Sequence, residues 1–531
     1  MGLKPSARED SIDGLPCPKI LNYIDLDHKK GFHSMPRSTN PAGSLPLVGR
    51  LKFLLGDATL YGGAAAVSAG FALITFPLLA RQFTVEEYGI LDYFLVLASL
   101  FGIVFVFGQD SMVARYFFEY EDLEVRQQLI SQSLVFQLLI SALSLPILWL
   151  GSEWLTRGMI AAPDRLLLFK IVLFQIPFLL LINFSQNLLK WTFARSRLLI
   201  MTLGYTIVQA ALLVVAVLVY DVGIAGVLVV GLATSVLFGA LGLFLVRKWL
   251  VRPKDFTRLR EMLPFALPYG VICVAGAFLP ALERSLTDNL LGTESLGLYA
   301  VGTKLAMLLG LIVNAFQIAW GPFSLSLYEQ ADAGQTYNWV LKLFALAVCL
   351  AALALTMLSQ SLIVLLATDR YLGAAVVVFP LAMGLAIQAT SWITEIGIGI
   401  SKRSYLSLYS YGVAVVVTLG GILLFTSFFG LFGVGLGVLV GHIAKAVTAS
   451  WLAQQAYPLP WQYGPILFLM TLTTGSGLAS IWMGEHLGIL HANFLLGGTM
   501  LLMIGMGWSI LFSRAERIRL KTLLVRRWTL I

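Results

Sequence analysis

Charge is scarce in this sequence. Of its 531 residues only 12% are Asp, Glu, Lys or Arg, 58% are hydrophobic, and the mean hydropathy is +0.85. An ordinary soluble domain carries about twice that charge, so a water-soluble globule is excluded. Cysteine is scarce as well. Cys17, Cys273 and Cys349 lie far apart, with neither metal-ligand nor redox spacing, and so indicate no disulfide framework and no zinc site. A phosphate-binding Gly-x-x-x-x-Gly-Lys-Ser/Thr loop is missing, which excludes direct ATP hydrolysis as a driving force. The apolar runs do not alternate in segments of about ten residues, which excludes an outer-membrane barrel.

What is present is a series of apolar runs, each long enough to cross roughly 30 Å of hydrocarbon as a helix. They are read at 59–80, 89–107, 129–150, 166–185, 199–220 and 222–246, then at 263–282, 296–319, 343–367, 374–400, 406–429 and 433–453, and finally at 466–483 and 493–512. The fold class predicted is an all-α polytopic membrane protein with about fourteen transmembrane helices, two parallel six-helix bundles plus two C-terminal helices. The corresponding segments are a polar N-terminal tail at 1–58, bundles at 59–246 and 263–453 joined by a basic linker at 247–262, two added helices within 454–512, and a basic amphipathic tail at 513–531.

The net charge of +8 is explained by placement rather than by nucleic acid. With the N-terminus inside, 28 of the 36 Lys and Arg fall in inner segments, four in outer segments and four within spans. By the positive-inside rule this orients both termini toward the cytoplasm. Residues 1–58 hold no apolar signal region and read as a polar tail, with Met35 opening a shorter frame. The stretch from Ser513 reads either as an amphipathic helix on the anionic inner leaflet or as a positive stop after the last span.

A shift of 208 residues superposes part of the sequence on itself. Gly89 meets Gly297, Leu97 meets Leu305, Gly102 meets Gly310, Gln109 meets Gln317, and Tyr120-Glu121 meets Tyr328-Glu329. The shift covers six spans, an even number, so the copies share one orientation. Parallel repeats of this kind are a transporter architecture, with the substrate held between two bundles that rock against each other.

An ionisable group at membrane depth costs several kcal/mol unless it has a partner or faces water, about 2.5 to 3.5 kcal/mol at the low end. On antiparallel neighbouring helices Arg284 and Lys304 fall at one depth, roughly 10 Å below the outer surface. Together they can hold a diphosphate, Arg as a planar fork and Lys as a point charge; alternatively Glu283 or Asp288 neutralises Arg284 while Lys304 snorkels outward. Lys445 lies mid-span with His442 one turn away, a second cation for a cavity, whereas Lys170 is shallow enough to snorkel. Glu395 sits close to Lys402 and Arg403, its default partners. Glu283, Asp288 and Glu395 are the carboxylates available to couple transport to an ion. Pro280, just before Glu283-Arg284, reads as a hinge that re-aims them, or as a static kink. Gly62, Gly63, Ala64, Ala65, Ala66, Ser68, Ala69 and Gly70 let the first span approach a neighbour closely.

The run Phe76-Pro77-Leu78-Leu79-Ala80-Arg81 with Glu87-Tyr88-Gly89-Ile90, the set Glu283-Arg284, Leu291-Gly292, Gly297-Leu298-Tyr299 and Lys304-Leu305, and Ser401-Lys402-Arg403 with Phe429-Gly430 and Gly433-Val434-Gly435 resemble the polysaccharide-unit flippases of the multidrug, oligosaccharidyl-lipid and polysaccharide exporter superfamily. Glu283 departs from the Asp more usual at that place and keeps its charge. The resemblance implies an inner-membrane flippase for polyprenyl-diphosphate-linked oligosaccharides in capsule, exopolysaccharide or O-antigen synthesis. Its partners would be the lipid-linked substrate, membrane lipids and the polymerase and export machinery, with no cofactor, no metal and no nucleic acid. The alternatives are a lipid II flippase, a cation-coupled multidrug exporter, and a membrane polymerase or ligase. The last needs catalytic groups in a sizeable outer loop. The outer loops offer only Glu153 and Asp164, or Glu485, His486 and His491, so no enzyme activity and no catalytic residue is expected.

Overall fold

The computed structural model describes residues 67, 70, 71, 74–120, 122–157, 164–327, 333–401, 403 and 405–510. The chain divides into Met1–Leu55 and Gly56–Ile531, and everything described belongs to the second unit. The tails predicted at 1–58 and 513–531, and most of the first span at 59–80, lie outside the described residues.

Among the described residues there are helices and no strands. A helical stretch at 74–82, here α1, leads into α2 (Val85–Val106). The start of α2 is fixed by a capping box: Thr84 Oγ1 accepts from the Glu87 amide at 3.2 Å, and Glu87 Oε2 accepts from the Thr84 amide at 2.9 Å. Then come α3 (Gln109–Glu119), α4 (Leu123–Leu150), α5 (Ser152–Arg157), α6 (Arg165–Trp191), α7 (Arg195–Tyr220) and α8 (Ile224–Val246). The second series is α9 (Thr257–Leu291), α10 (Thr293–Leu327), α11 (Ala333–Leu366), α12 (Ala375–Thr394), the short α13 (Ile396–Ile400) and α14 (Tyr405–Ala456). The last two are α15 (Tyr463–His486) and α16 (Ile489–Ile510).

Eleven helices among the described residues are long and apolar enough to cross a membrane. One of them, α14, is two helices folded back at Gly430, whose φ of 54° and ψ of −133° break the helical path. Its arms approach closely because glycine lines the seam: a side chain on Gly437 would meet the Ile422 amide nitrogen at 2.4 Å.

Packing runs mainly α6 on α8 in the first series, and α12 on α14 and α10 in the second; α15 and α16 pack on each other and on α11. Helix α2 touches both series, lying against α6 as well as α9 and α10. Gly89 of α2 and Gly297 of α10, paired by the 208-residue shift, meet there, a Cβ on Gly89 falling 2.5 Å from the Gly297 nitrogen. Such contact between equivalent residues is what a two-fold axis passing between α2 and α10 requires.

The basic segment after α8 is strapped to the start of α4. Gln127 donates to the Lys248 carbonyl at 2.9 Å, Ser131 Oγ accepts from the Val251 amide at 2.9 Å, and Gln128 Oε1 accepts from the Lys254 amide at 3.0 Å. Glu124 accepts from Lys254 Nζ, and this hydrogen bond holds the ammonium pKa above its ordinary value. Helix α9 then starts at Thr257, inside the predicted linker.

Candidate substrate cavity and its buried charges

Gly292, at φ 85°, turns α9 back into α10, so residues a few turns before it face residues a few turns after it. This brings Arg284 beside Thr303, whose hydroxyl accepts from Nη2 at 3.3 Å. Arg284 is only 2% exposed, and its strongest bond is to neither neighbouring carboxylate. Nε donates to Asp92 Oδ2 of α2 at 2.7 Å, while Nη1 donates to the Pro280 carbonyl at 3.2 Å. Lys304 Nζ reaches the other carboxylate oxygen, Asp92 Oδ1, at 3.1 Å. One carboxylate thus serves both predicted cations. Glu283 instead accepts from the Tyr299 hydroxyl at 2.8 Å.

The second predicted cation, Lys445, is 1% exposed and ion-paired to Glu395 at 2.8 Å, with its ammonium 4.8 Å from the centre of the Tyr411 ring. Glu395 therefore looks across to α14 and not along the chain to Arg403, which is exposed; Lys402 lies outside the described residues. Ser391 supports the same carboxylate, donating to Oε1 at 2.8 Å.

Arg284, Glu283, Lys445 and His442 line one cavity of about 310 Å³ among α9, α10, α12 and α14, with Pro280, Thr303, Gln388, Tyr411 and Thr418. A second cavity, of about 300 Å³, is formed among α1, α2, α6, α7 and α8, and its polar lining is uncharged: Thr75, Gln175, Thr206 and Gln209. Each cavity lies within one series of spans, where the repeat predicts a single hollow between two bundles. At Gly89 and Gly297 themselves α2 and α10 are in direct contact, with no room between them.

Lys170 lines neither cavity; its ammonium sits 4.6 Å from the centre of the Trp149 ring, the contact of a cation at an aromatic rim. Asp288 is buried one turn beyond Arg284, and Pro280 lies within an unbroken α9. Of the histidines near the chain end, His486 and His491 each hold Nδ1 against the carbonyl four residues earlier. Among the described residues no group of three or more His, Cys, Asp or Glu is placed to hold a metal ion.

Sequence reasoning missed Asp92. Its signal was available: an aspartate three residues into the apolar run 89–107 is an intramembrane charge in its own right. What the sequence could not supply was its partners, since Arg284 lies 192 positions away.

A family model described as polysaccharide biosynthesis protein matches residues 54–327, more than half of the chain. The protein belongs to the polysaccharide biosynthesis protein family. A Haemophilus influenzae relative described as an uncharacterized membrane protein is 24% identical over 351 residues, which is 63% of this chain and 81% of that one. Among solved structures, the fold resembles a lipid II flippase MurJ in an inward closed conformation, with TM-score 0.63, 14% identity, and 84% of this chain and 98% of that chain covered. It also resembles an inward-facing MATE family multidrug resistance transporter of the MOP superfamily, with TM-score 0.61, 14% identity, and 78% and 96% covered. At such identities the likeness is one of fold. This member of the polysaccharide biosynthesis protein family is thus a multi-pass helical membrane protein with the architecture of flippases and exporters, as its short motifs imply.

Proposed function

We propose that the protein moves polyprenyl-diphosphate-linked oligosaccharide repeat units across the bacterial inner membrane by alternating access, for capsule, exopolysaccharide or O-antigen synthesis. The observation that carries this reading is the cavity bearing Arg284 and Lys445 in a polysaccharide biosynthesis protein. Both cations are buried and held by carboxylates that do not line that cavity, Asp92 and Glu395. Groups of this kind are expensive to keep at membrane depth, and a diphosphate headgroup is the substrate feature whose charge they match. The uncharged cavity, with Gln175, Gln209, Thr75 and Thr206, offers the hydrogen-bonding groups that sugars use. The polyprenyl tail stays in lipid.

Orientation follows from the 28 inner and four outer basic residues, with both termini cytoplasmic and the turns at Thr84 and Gly292 outside. Rocking of the 59–246 and 263–453 segments against each other, with Pro280 as the hinge in α9, supplies the alternation. Glu283, Asp288 and Glu395 are the carboxylates available for ion coupling. Lys170 serves packing at the Trp149 rim, and the polymerase and export machinery receive the product.

Purified protein in liposomes, given a fluorescent polyprenyl-diphosphate oligosaccharide or a fluorescent lipid II, tests the assignment. The oligosaccharide lipid is expected to cross, and Lys304→Gln combined with Arg284→Gln to stop it in folded protein. Transport of lipid II alone would install the second reading, which the MurJ-like fold favours.

A further inference from the structure

Asp92 belongs to α2, yet both of its partners belong to the second series of helices: Arg284 to α9 and Lys304 to α10. It is therefore a tie between elements that must separate if the halves rock. The tie is asymmetric. Oδ2 takes a 2.7 Å hydrogen bond from Arg284 Nε, whereas Oδ1 faces Lys304 at 3.1 Å without an aligned hydrogen bond, and the Lys304 side chain is 34% exposed. Arg284 also has two edges. Nε points to Asp92, while Nη1 and Nη2 make the longer bonds, 3.2 and 3.3 Å, to Pro280 and Thr303, two residues of the cavity lining.

Asp92, Arg284 and Lys304 together carry a net positive charge, offset at the cavity wall by Glu283, and an anion entering the cavity meets Arg284 at its Nη edge. It then shares one guanidinium with Asp92, and two anions around one cation repel each other in a medium of low dielectric. A group with a single negative charge only completes the balance of the three side chains. A diphosphate carries enough charge to neutralise Arg284 and Lys304 by itself, which leaves Asp92 in surplus.

Resting on the flippase reading, we infer that Asp92 is a specificity-determining counterion: it occupies the Arg284 and Lys304 pair while the cavity is empty, a lipid diphosphate displaces it, and its release unties α2 from α9 and α10. Neighbouring contacts give the release a readout. Tyr371 donates to the carbonyls of Phe83 and Thr84 at 3.4 and 3.3 Å, and Phe83 is buried at the turn that leads into α2. When α2 withdraws, this turn opens.

The test places Phe83→Cys in a chain whose Cys17, Cys273 and Cys349 are serine, reconstitutes it in liposomes, and follows labelling by a membrane-impermeant maleimide. Polyprenyl diphosphate is expected to raise the labelling rate by about tenfold or more, and phosphatidylglycerol, a phosphodiester lipid with a single negative charge, to leave it unchanged. Asp92→Asn should label at the raised rate without lipid. So should Asp92→Asn with Arg284→Gln, which removes the buried pair together and guards against misfolding. Asp92→Glu should restore both protection and the response to diphosphate. The inference is overturned if the monodisperse double variant is as protected as its parent, or if diphosphate accelerates the parent and Asp92→Asn by the same factor. Equilibrium binding of polyprenyl diphosphate to the unmodified protein separates the two claims: binding without any change in labelling sinks the tie and spares the flippase, whereas no binding sinks the flippase reading itself.

Discussion

A lysine at 1% exposure 2.8 Å from a glutamate admits two roles, and they predict different things. If Lys445 only balances Glu395, the pair is replaceable by apolar side chains at little cost, since desolvation offsets much of the attraction between buried charges. Breaking it from one side strands a charge and costs about 3 to 5 kcal/mol. Glu395→Gln is therefore expected to lower the thermal midpoint clearly, and Glu395→Leu with Lys445→Met to recover most of the loss. If Lys445 also meets the headgroup, that stable double variant still fails to transport, and normal transport by it would confine Lys445 to packing. At this scale the sequence was partly legible. Scarcity marked Arg284, Lys304, Lys445 and Glu395 as charges needing an account, but pairing is a property of tertiary contact. Glu395 was assigned to its sequence neighbours, and Asp92, with its partners 192 and 212 positions away, was passed over.

Among the elements, the long helices announce themselves by length and hydropathy, and the short ones do not. Helix α3, Gln109–Glu119, carries Asp110, Arg115 and Glu119 and falls between the predicted spans 89–107 and 129–150, too polar and too short to be one itself. The hydrogen bonds that Gln127, Gln128 and Ser131 make with the linker backbone were likewise invisible: glutamine at a helix start carries no signal of what it will hold. Glycine was legible where it repeated under the 208-residue shift. Gly297 and Gly310 both fall in α10 and both recur in α2, yet the structure separates them. A Cβ at Gly297 would lie 1.9 Å from the Val85 carbonyl oxygen, whereas one at Gly310 meets nothing within 4 Å. Gly297→Ala should thus wedge α2 away from α10 and reduce the yield and thermal midpoint of folded protein. Gly310→Ala should be neutral or stabilising by about 0.5 to 1 kcal/mol, the usual gain from removing a mid-helix glycine. Equal effects of the two substitutions would show that the α2 and α10 contact does not hold the molecule together.

For the whole molecule the decisive quantity is which face is outside, because the same charges mean opposite things on opposite faces. Asp92 lies seven residues into α2 from Val85, about 10 Å from the end that carries the turn at Thr84. If that end is outside, the tie from Asp92 to α9 and α10 closes the exit, and a cavity opening toward the cytoplasm can load before the exit yields. If it is inside, the tie closes the entrance and the cavity serves uptake instead. The strapped linker favours the first arrangement. Arg247, Lys248, Arg252, Lys254 and Arg260 are exposed along it, and by the positive-inside rule so many cations are expected on the cytoplasmic side. Lys254→Cys is accordingly expected to react with an impermeant maleimide only after the membrane is permeabilised. Leu487→Cys, in the exposed turn between α15 and α16, should react in intact cells. The reverse pattern would invert the direction of transport while leaving every distance around Asp92 unchanged, since the charge geometry decides what is bound and the topology decides where it goes.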